Sequence, residues 1–321
     1  MEKYIILLVE NVLVAGGAGF IGSHLCDLLV KSGHEVTCID NLITGSDSNI
    51  KHLQKKNNFK FVRADVTQIS DYKLPATDYI FHLASPASPV DYQNHPEETA
   101  LANSLGTLNL LKLAAKNNVK FLFASTSEIY GDPLEHPQKE TYWGNVNSFG
   151  PRSCYDESKR FGEAITYVYI NKYKVDARII RIFNTYGPRM QKDDGRVVSN
   201  FINQALKGKS LTVYGDGSQT RSFCYVADLV EGIYKAISND GTKDEIFNLG
   251  NPEEYSMKEL AQKIRQLTDS KSEIIYKPLP KDDPRKRRPD TTKAKKILGW
   301  ESKTSLDEGL KKTVVYYKRL R

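Results

Sequence analysis

Short apolar runs recur along the chain at spacings that suit strands, and several intervening stretches carry apolar residues every three or four positions. The strand-like runs are 12–15, 35–39, Phe59–Arg63, 79–83, 120–124 and 177–183. Helical spacing follows at 24–31, closed by Gly33, and again at 105–113 and 161–169. Alternation of this kind predicts an α/β chain built on a Rossmann-like, doubly wound parallel sheet. The two later helical stretches hold more apolar residues than one sheet-facing side requires, so ordinary core packing and a helix-pair homodimer interface both stay open. Past about residue 185 the pattern gives way to loops rich in Gly, Pro and charge, such as YGDGSQTRSF and KPLPKDDPRKRRPD. The expected division is 1–185 for cofactor and chemistry. Residues 186–321 then form a smaller C-terminal substrate-binding α/β domain, with some segments returning to the first.

With 321 residues and 40% hydrophobic content, the chain can bury a sizeable core. The N-terminal YIILLV is far shorter than a membrane span and no cleavage-site pattern follows it, so a cytosolic protein without a membrane partner is expected. Cys26, Cys38, Cys154 and Cys224 lie apart, with no CxxC and no metal-ligand spacing. They read as reduced thiols, and Cys154 as packing beside the site, because no His adjoins it to activate a nucleophile.

The run from 12 to 15 leads into Gly16-Gly17-Ala18-Gly19-Phe20-Ile21-Gly22 and then a helix. Glycines at 16, 19 and 22 permit a tight turn and a close approach to a pyrophosphate at the helix N-terminus. Asp40, ending the second run, falls where a carboxylate binds the adenosine ribose hydroxyls, which favours NAD over NADP. Asp65, after the third, could reach the adenine or cap a helix. Tyr155 and Lys159 share a helix face, so the ammonium is expected to lower the phenol's pKa from its usual ~10 and make Tyr155 a proton acceptor.

The net charge of +7 raises the question of nucleic acid. The densest basic run, 281–288, is broken by Asp282, Asp283 and Pro284 and lacks aromatic stacking partners, so no nucleic-acid partner is expected. A solvated loop is one reading of it. The other is a diphosphate clamp in which Arg221, Arg287 and Arg196 offer forked donors to an anionic nucleotide.

GGAGFIGSHL, ASPASP, STSEIYGDP, GPRSCYDESKR, RIFNTYGPRM, DGRVVSNF and LTVYGDGSQTRSF together resemble the extended short-chain dehydrogenase/reductases, most nearly the UDP-glucuronate decarboxylases (UDP-xylose synthases). The resemblance spans nearly the whole chain. It implies decarboxylation of UDP-glucuronate to UDP-xylose through a C4-keto intermediate, with a tightly held NAD recycled within each turnover. Tyr155 would be the base at the sugar 4-hydroxyl, Lys159 would hold the nicotinamide ribose, and Thr126 would bond the C4 oxygen. Glu128 is open between positioning the sugar or a water, repelling the substrate carboxylate, and a structural hydrogen bond. Further cofactor contacts carried over are Phe20, Ile21, Asn41, Val66, Leu83, Ser85, Ala124, Thr185 and Arg196. Substrate contacts are Asn184, Val198, Tyr214, Arg221 and Arg287. Ser127 stands where the similar dTDP-glucose 4,6-dehydratases place an Asp to expel the C6 hydroxyl, which favours decarboxylase over dehydratase.

Two departures stand out. Ala15 replaces a common Thr, and Leu101-Ala102 precede Asn103 where many decarboxylases have Lys-Thr, removing a possible cationic contact near the sugar. A related branch that releases the 4-keto pentose with NADH stays open. A non-catalytic NAD-sensing relative is disfavoured by the intact Tyr, Lys and Thr set.

Overall fold

The alternating apolar runs become seven parallel strands of one sheet: β1 (Asn11–Ala15), β2 (Glu35–Asp40), β3 (Phe59–Arg63), β4 (Tyr79–His82), β5 (Lys120–Thr126), β6 (Ala177–Ile182) and an edge strand, Ile246–Leu249. This is a computed structural model, describing residues 9–72, 74–279 and 286–320. The expectations for residues 4–8 and for the 281–285 part of the basic run lie outside the described residues. The spatial order is edge strand, β6, β5, β4, β1, β2, β3, so the order reverses between β1 and β4. Ligands collect at that reversal, beyond the carboxyl ends of the strands.

Strand alternation sends Leu13, Ile39, Ile80, Phe121 and Phe123 to one face and Val12, Val14, Cys38, Phe81 and Ile180 to the other. Both faces are covered, as parallel sheets require. Helix Thr107–Asn117 covers the first with Leu110 and Leu111, while α1 (Phe20–Lys31) and helix Val226–Ser238 cover the second with Leu25, Leu29, Leu229 and Ile233. The first helix thus begins four residues before the periodicity at His24 suggested. Gly22 explains this: it lies in the opening turn, packed so closely on the glycine loop that a Cβ would come within 2.1 Å of the Gly16 carbonyl oxygen.

A second apolar cluster, with Val198, Phe201, Leu211, Val213, Leu260, Leu310 and Tyr317, holds the later elements together. Its small sheets pair Leu211–Tyr214 with Ile274–Lys277, and Thr220–Ser222 with both Glu254–Ser256 and Lys286–Arg287. The Val226–Ser238 helix and the Ile246–Leu249 strand belong to the central sheet, although they lie far beyond residue 185. No helix among the described residues is long and apolar enough to cross a membrane.

Candidate active site

A trough of about 680 Å³ opens at the carboxyl ends of β1, β4 and β5 and runs toward the second cluster. Gly16, Gly19, Phe20, Ile21, Gly22, Leu83, Ser85 and Ala124 line it from the sheet side, with Thr126, Ser127, Glu128, Tyr155 and Lys159 at its centre. Asn184, Thr185, Arg196, Val198, Tyr214, Arg221 and Arg287 complete it. A side pocket of about 120 Å³ adjoins the glycine turn and collects Asp40, Asn41, Asp65 and Val66.

The glycine turn has the shape a dinucleotide needs. Gly16 holds a φ of 81°, where a Cβ would also meet the Ala84 backbone nitrogen at 2.6 Å, so the turn can pack closely on the chain that follows β4. Asp40 accepts from the Ala18 N–H at 3.0 Å and the Leu42 N–H at 2.8 Å, which fixes the carboxylate at the pocket. Each oxygen keeps acceptor capacity for a ribose hydroxyl. Asp65 caps the turn Val66–Asp71 through the Thr67 N–H at 2.8 Å and accepts from the Asn41 side chain at 2.8 Å. Burial works to raise its pKa, and the Thr67 and Asn41 bonds outweigh that and hold it below the usual value. Leu101 and Ala102 line this side pocket as well. The departure at these positions therefore lies beside Asp40 and Asp65, and not, as expected, with the residues that line the main trough.

Tyr155 and Lys159 sit one turn apart on helix Ser153–Tyr173, 5% and 3% exposed. The expected order of influence between them is corrected by burial. It pushes the Tyr155 phenol well above its ordinary pKa; the Thr126 hydroxyl and Arg196 pull it down, and Glu128 and Asp156 oppose them. Lys159 is itself drawn down to about 7 by burial, with Glu163 working the other way. Its Nζ donates to the Ala124 carbonyl at 2.7 Å and lies 5.9 Å from the centre of the Tyr155 ring. Glu163, one turn further on, accepts from Ser125 of β5 at 2.6 Å and from Arg181 of β6 at 2.8 Å, tying this helix to both strands.

A folded-state pKa of about 7 for Lys159, against 10.5 for an ordinary lysine, means the unfolded chain binds the extra proton between those values. Its contribution to stability is then unfavourable below about pH 7 and is relieved as pH rises toward 10.5. Lys159→Met is expected to remove this slope: urea unfolding at pH 7 and pH 9.5 should show the wild type gaining on the variant at the higher pH.

Glu128 lies at the turn after β5 and is bonded by both Arg152 and Arg287. Burial works to raise its pKa, and the two guanidinium ions hold it far below the usual range. Glu128 thus sits in an ion-paired cluster. Arg287, which sequence reasoning made a diphosphate donor or part of a solvated loop, is 3% exposed and committed to Glu128. Its strand places it in register with Arg221, itself 8% exposed, so the cations are packed side by side rather than spread on a loop.

Sequence reasoning missed three residues here. Arg152 was passed over although it stands in the quoted GPRSCY motif. Asp156 lies 3.9 Å from Arg152, and its pKa is raised first by burial and then by Glu128. Tyr92 stacks on Tyr155 with ring centres 5.1 Å apart and planes 8° from parallel; its buried hydroxyl has no hydrogen-bond partner among the described residues. Only its place just after ASPASP hinted at it. Cys154 donates to the Tyr92 carbonyl at 3.5 Å, and burial raises its pKa, which suits packing and not nucleophilic attack.

The family profile of GDP-mannose 4,6 dehydratase matches residues 13–313. UDP-glucuronic acid decarboxylase 1 of Danio rerio is 51% identical over 97% of this chain and 73% of its own length. UDP-glucuronic acid decarboxylase 1 of Arabidopsis thaliana is 54% identical over 95% of this chain and 69% of its own. Among solved structures, UDP-glucose 4-epimerase of Thermotoga maritima with UDP-glucose superposes at a TM-score of 0.87, with 34% identity, covering 97% of this chain and 99% of that one. UDP-glucuronic acid 4-epimerase of Bacillus cereus, in complex with UDP-glucuronic acid and NAD, gives 0.87 at 28% identity, covering 97% and 100%.

Proposed function

This chain belongs to the extended short-chain dehydrogenase/reductases, in the branch of the UDP-glucuronic acid decarboxylases, and on that premise we propose that it converts UDP-glucuronate to UDP-xylose with NAD as cofactor. The observation that carries the reading is the pair of guanidinium groups on Glu128 beside Tyr155. With Glu128 ionised and Asp156 pushed toward its neutral form by burial and by Glu128, the two guanidinium ions leave a net positive recess next to the catalytic phenol, suited to a carboxylate on the sugar.

NAD on the glycine turn would supply the acceptor and later the donor of hydride at C4. Tyr155 takes the 4-hydroxyl proton, and Thr126 holds the same oxygen. Burial makes the phenolate costly, so Arg196 and Thr126 must supply the compensation that Lys159 alone does not. With C4 a ketone, the C5–C6 bond breaks, CO₂ leaves, and the electron pair moves into an enolate whose oxygen faces Tyr155 and Thr126. Protonation at C5 and reduction at C4, with Tyr155 returning its proton, give the pentose. Ser127 is buried and carries no acid to protonate a leaving hydroxyl, which sets dehydration aside.

We assign 1–185 mainly to cofactor and chemistry and 186–321 mainly to the nucleotide, and propose a cytosolic homodimer. Leu105 and Phe161, 39% and 48% exposed, support a helix-paired interface. Proton NMR of the protein with UDP-glucuronate and catalytic NAD⁺ tests the reaction. UDP-xylose should appear without NADH build-up, whereas an unchanged sugar spectrum would remove UDP-glucuronate as substrate.

A further inference from the structure

We infer that the loop at 188–191 is a fastening that decides whether reduced cofactor stays for the last reduction or leaves with the 4-keto pentose, and that the Asp27–Arg189 ion pair is its main clasp. The inference rests on the reaction proposed above. On one side the loop is anchored in the second core, where Met190 is buried and the Tyr317 hydroxyl donates to its carbonyl at 2.8 Å. On the other it grips the dinucleotide-binding elements at three places. Arg189 Nη2 donates to Asp27 Oδ2 of α1 at 2.6 Å. His24 Nε2, on the same helix, lies 2.9 Å from the Pro188 carbonyl oxygen. The Gln191 amide donates to the Thr44 carbonyl beyond β2.

These contacts join two lips of one trough: Phe20, Ile21 and Thr44 line it from the sheet side, Arg189 and Gln191 from the loop side. A dinucleotide seated on the glycine turn lies between the lips, so its departure requires parting them. His24 is drawn down to about 4 by burial, so it is neutral at pH 7 and its bond to a carbonyl is an ordinary one. The Gln191 bond is also neutral. Only the Arg189 bond is charge-assisted, and such bonds are the stronger kind. Side-chain exposures of 19% for Arg189 and 31% for Asp27 leave it only partly screened.

The test is the rate at which NADH leaves the protein, followed by stopped-flow fluorescence on displacement with excess NAD⁺ and with no sugar present. Asp27→Asn should release NADH about tenfold faster, and Arg189→Lys should fall between it and wild type. Exchanging the charges in Asp27→Arg/Arg189→Asp should recover most of the retention. His52 also bonds Asp27, at 2.6 Å, from a position outside the loop, so His52→Ala should leave the rate unchanged. In the NMR assay the Asp27→Asn protein should divert a larger share of product to the 4-keto pentose. An unaltered NADH release rate in a normally melting Asp27→Asn protein would overturn the clasp. Should Asp27→Asn fail to fold, an unaltered rate in Arg189→Gln, which loses the charge, decides against it equally. Because NADH release is read without sugar, a wrong substrate would not disguise either result.

Discussion

Tyr155→Phe should lower kcat by about 10³–10⁴ while leaving NADH affinity within about twofold of wild type. The substitution removes one oxygen and keeps the ring. Stacking on Tyr92 and the buried fit beside Lys159 therefore persist. What disappears is the group proposed to take the 4-hydroxyl proton, under the partial control of Thr126 and Arg196. Because the loss falls on the transition state and not on binding, KM should change little. Fluorescence titration with NADH and steady-state kinetics on the same preparation separate the two effects. Turnover near the wild-type level would transfer the base to another residue.

Arg287→Ala should abolish turnover in practice and lower stability by up to about 3 kcal/mol, at the lower edge of what breaking a buried pair costs because Arg152 stays on Glu128. The pair is nearly enclosed, with side-chain exposures of 4% for Arg287 and 15% for Glu128. Removing one cation leaves the recess electrically neutral, so a uronate carboxylate loses its attraction and meets the charge of Glu128. A double variant, Arg287→Met with Glu128→Gln, should recover much of the lost stability and, because Arg152 then faces no Glu128 carboxylate and the recess is net positive again, part of the activity. Urea unfolding and the NMR assay on both proteins check this. Activity no higher than that of Arg287→Ala would show that the net charge of the recess is not what holds the uronate.

The glycine turn, Asp40, the helical Tyr155–Lys159 pair and six of the sheet strands were legible because each is written in contiguous residues whose spacing has a local meaning. The ion pair of Glu128 with Arg287 was not, since 159 positions separate the partners and nothing in either neighbourhood names the other. Burial caused the other misreadings. Periodicity shows that Tyr155 and Lys159 share a face, but it does not show that both are almost fully enclosed, and that enclosure makes desolvation outweigh their mutual influence. Tyr92 stayed hidden for a related reason. An aromatic residue on a short helix has many possible neighbours, and only the folded chain selects Tyr155.

The edge strand Ile246–Leu249 has a consequence for how the protein comes into being. The ribosome finishes β6 at Ile182 and reaches the strand that covers its outer edge only 64 positions later, a wait of roughly 3–13 s at about 5–20 residues per second. During that wait the nascent β6 has an open hydrogen-bonding edge, and Ile180 lacks its cover from Leu229 and Ile233. Arg178, fully enclosed in the finished protein, awaits its bond to Thr242. The half of the molecule that carries Tyr155 must therefore be shielded, or remain unsettled, until the later half emerges to close it.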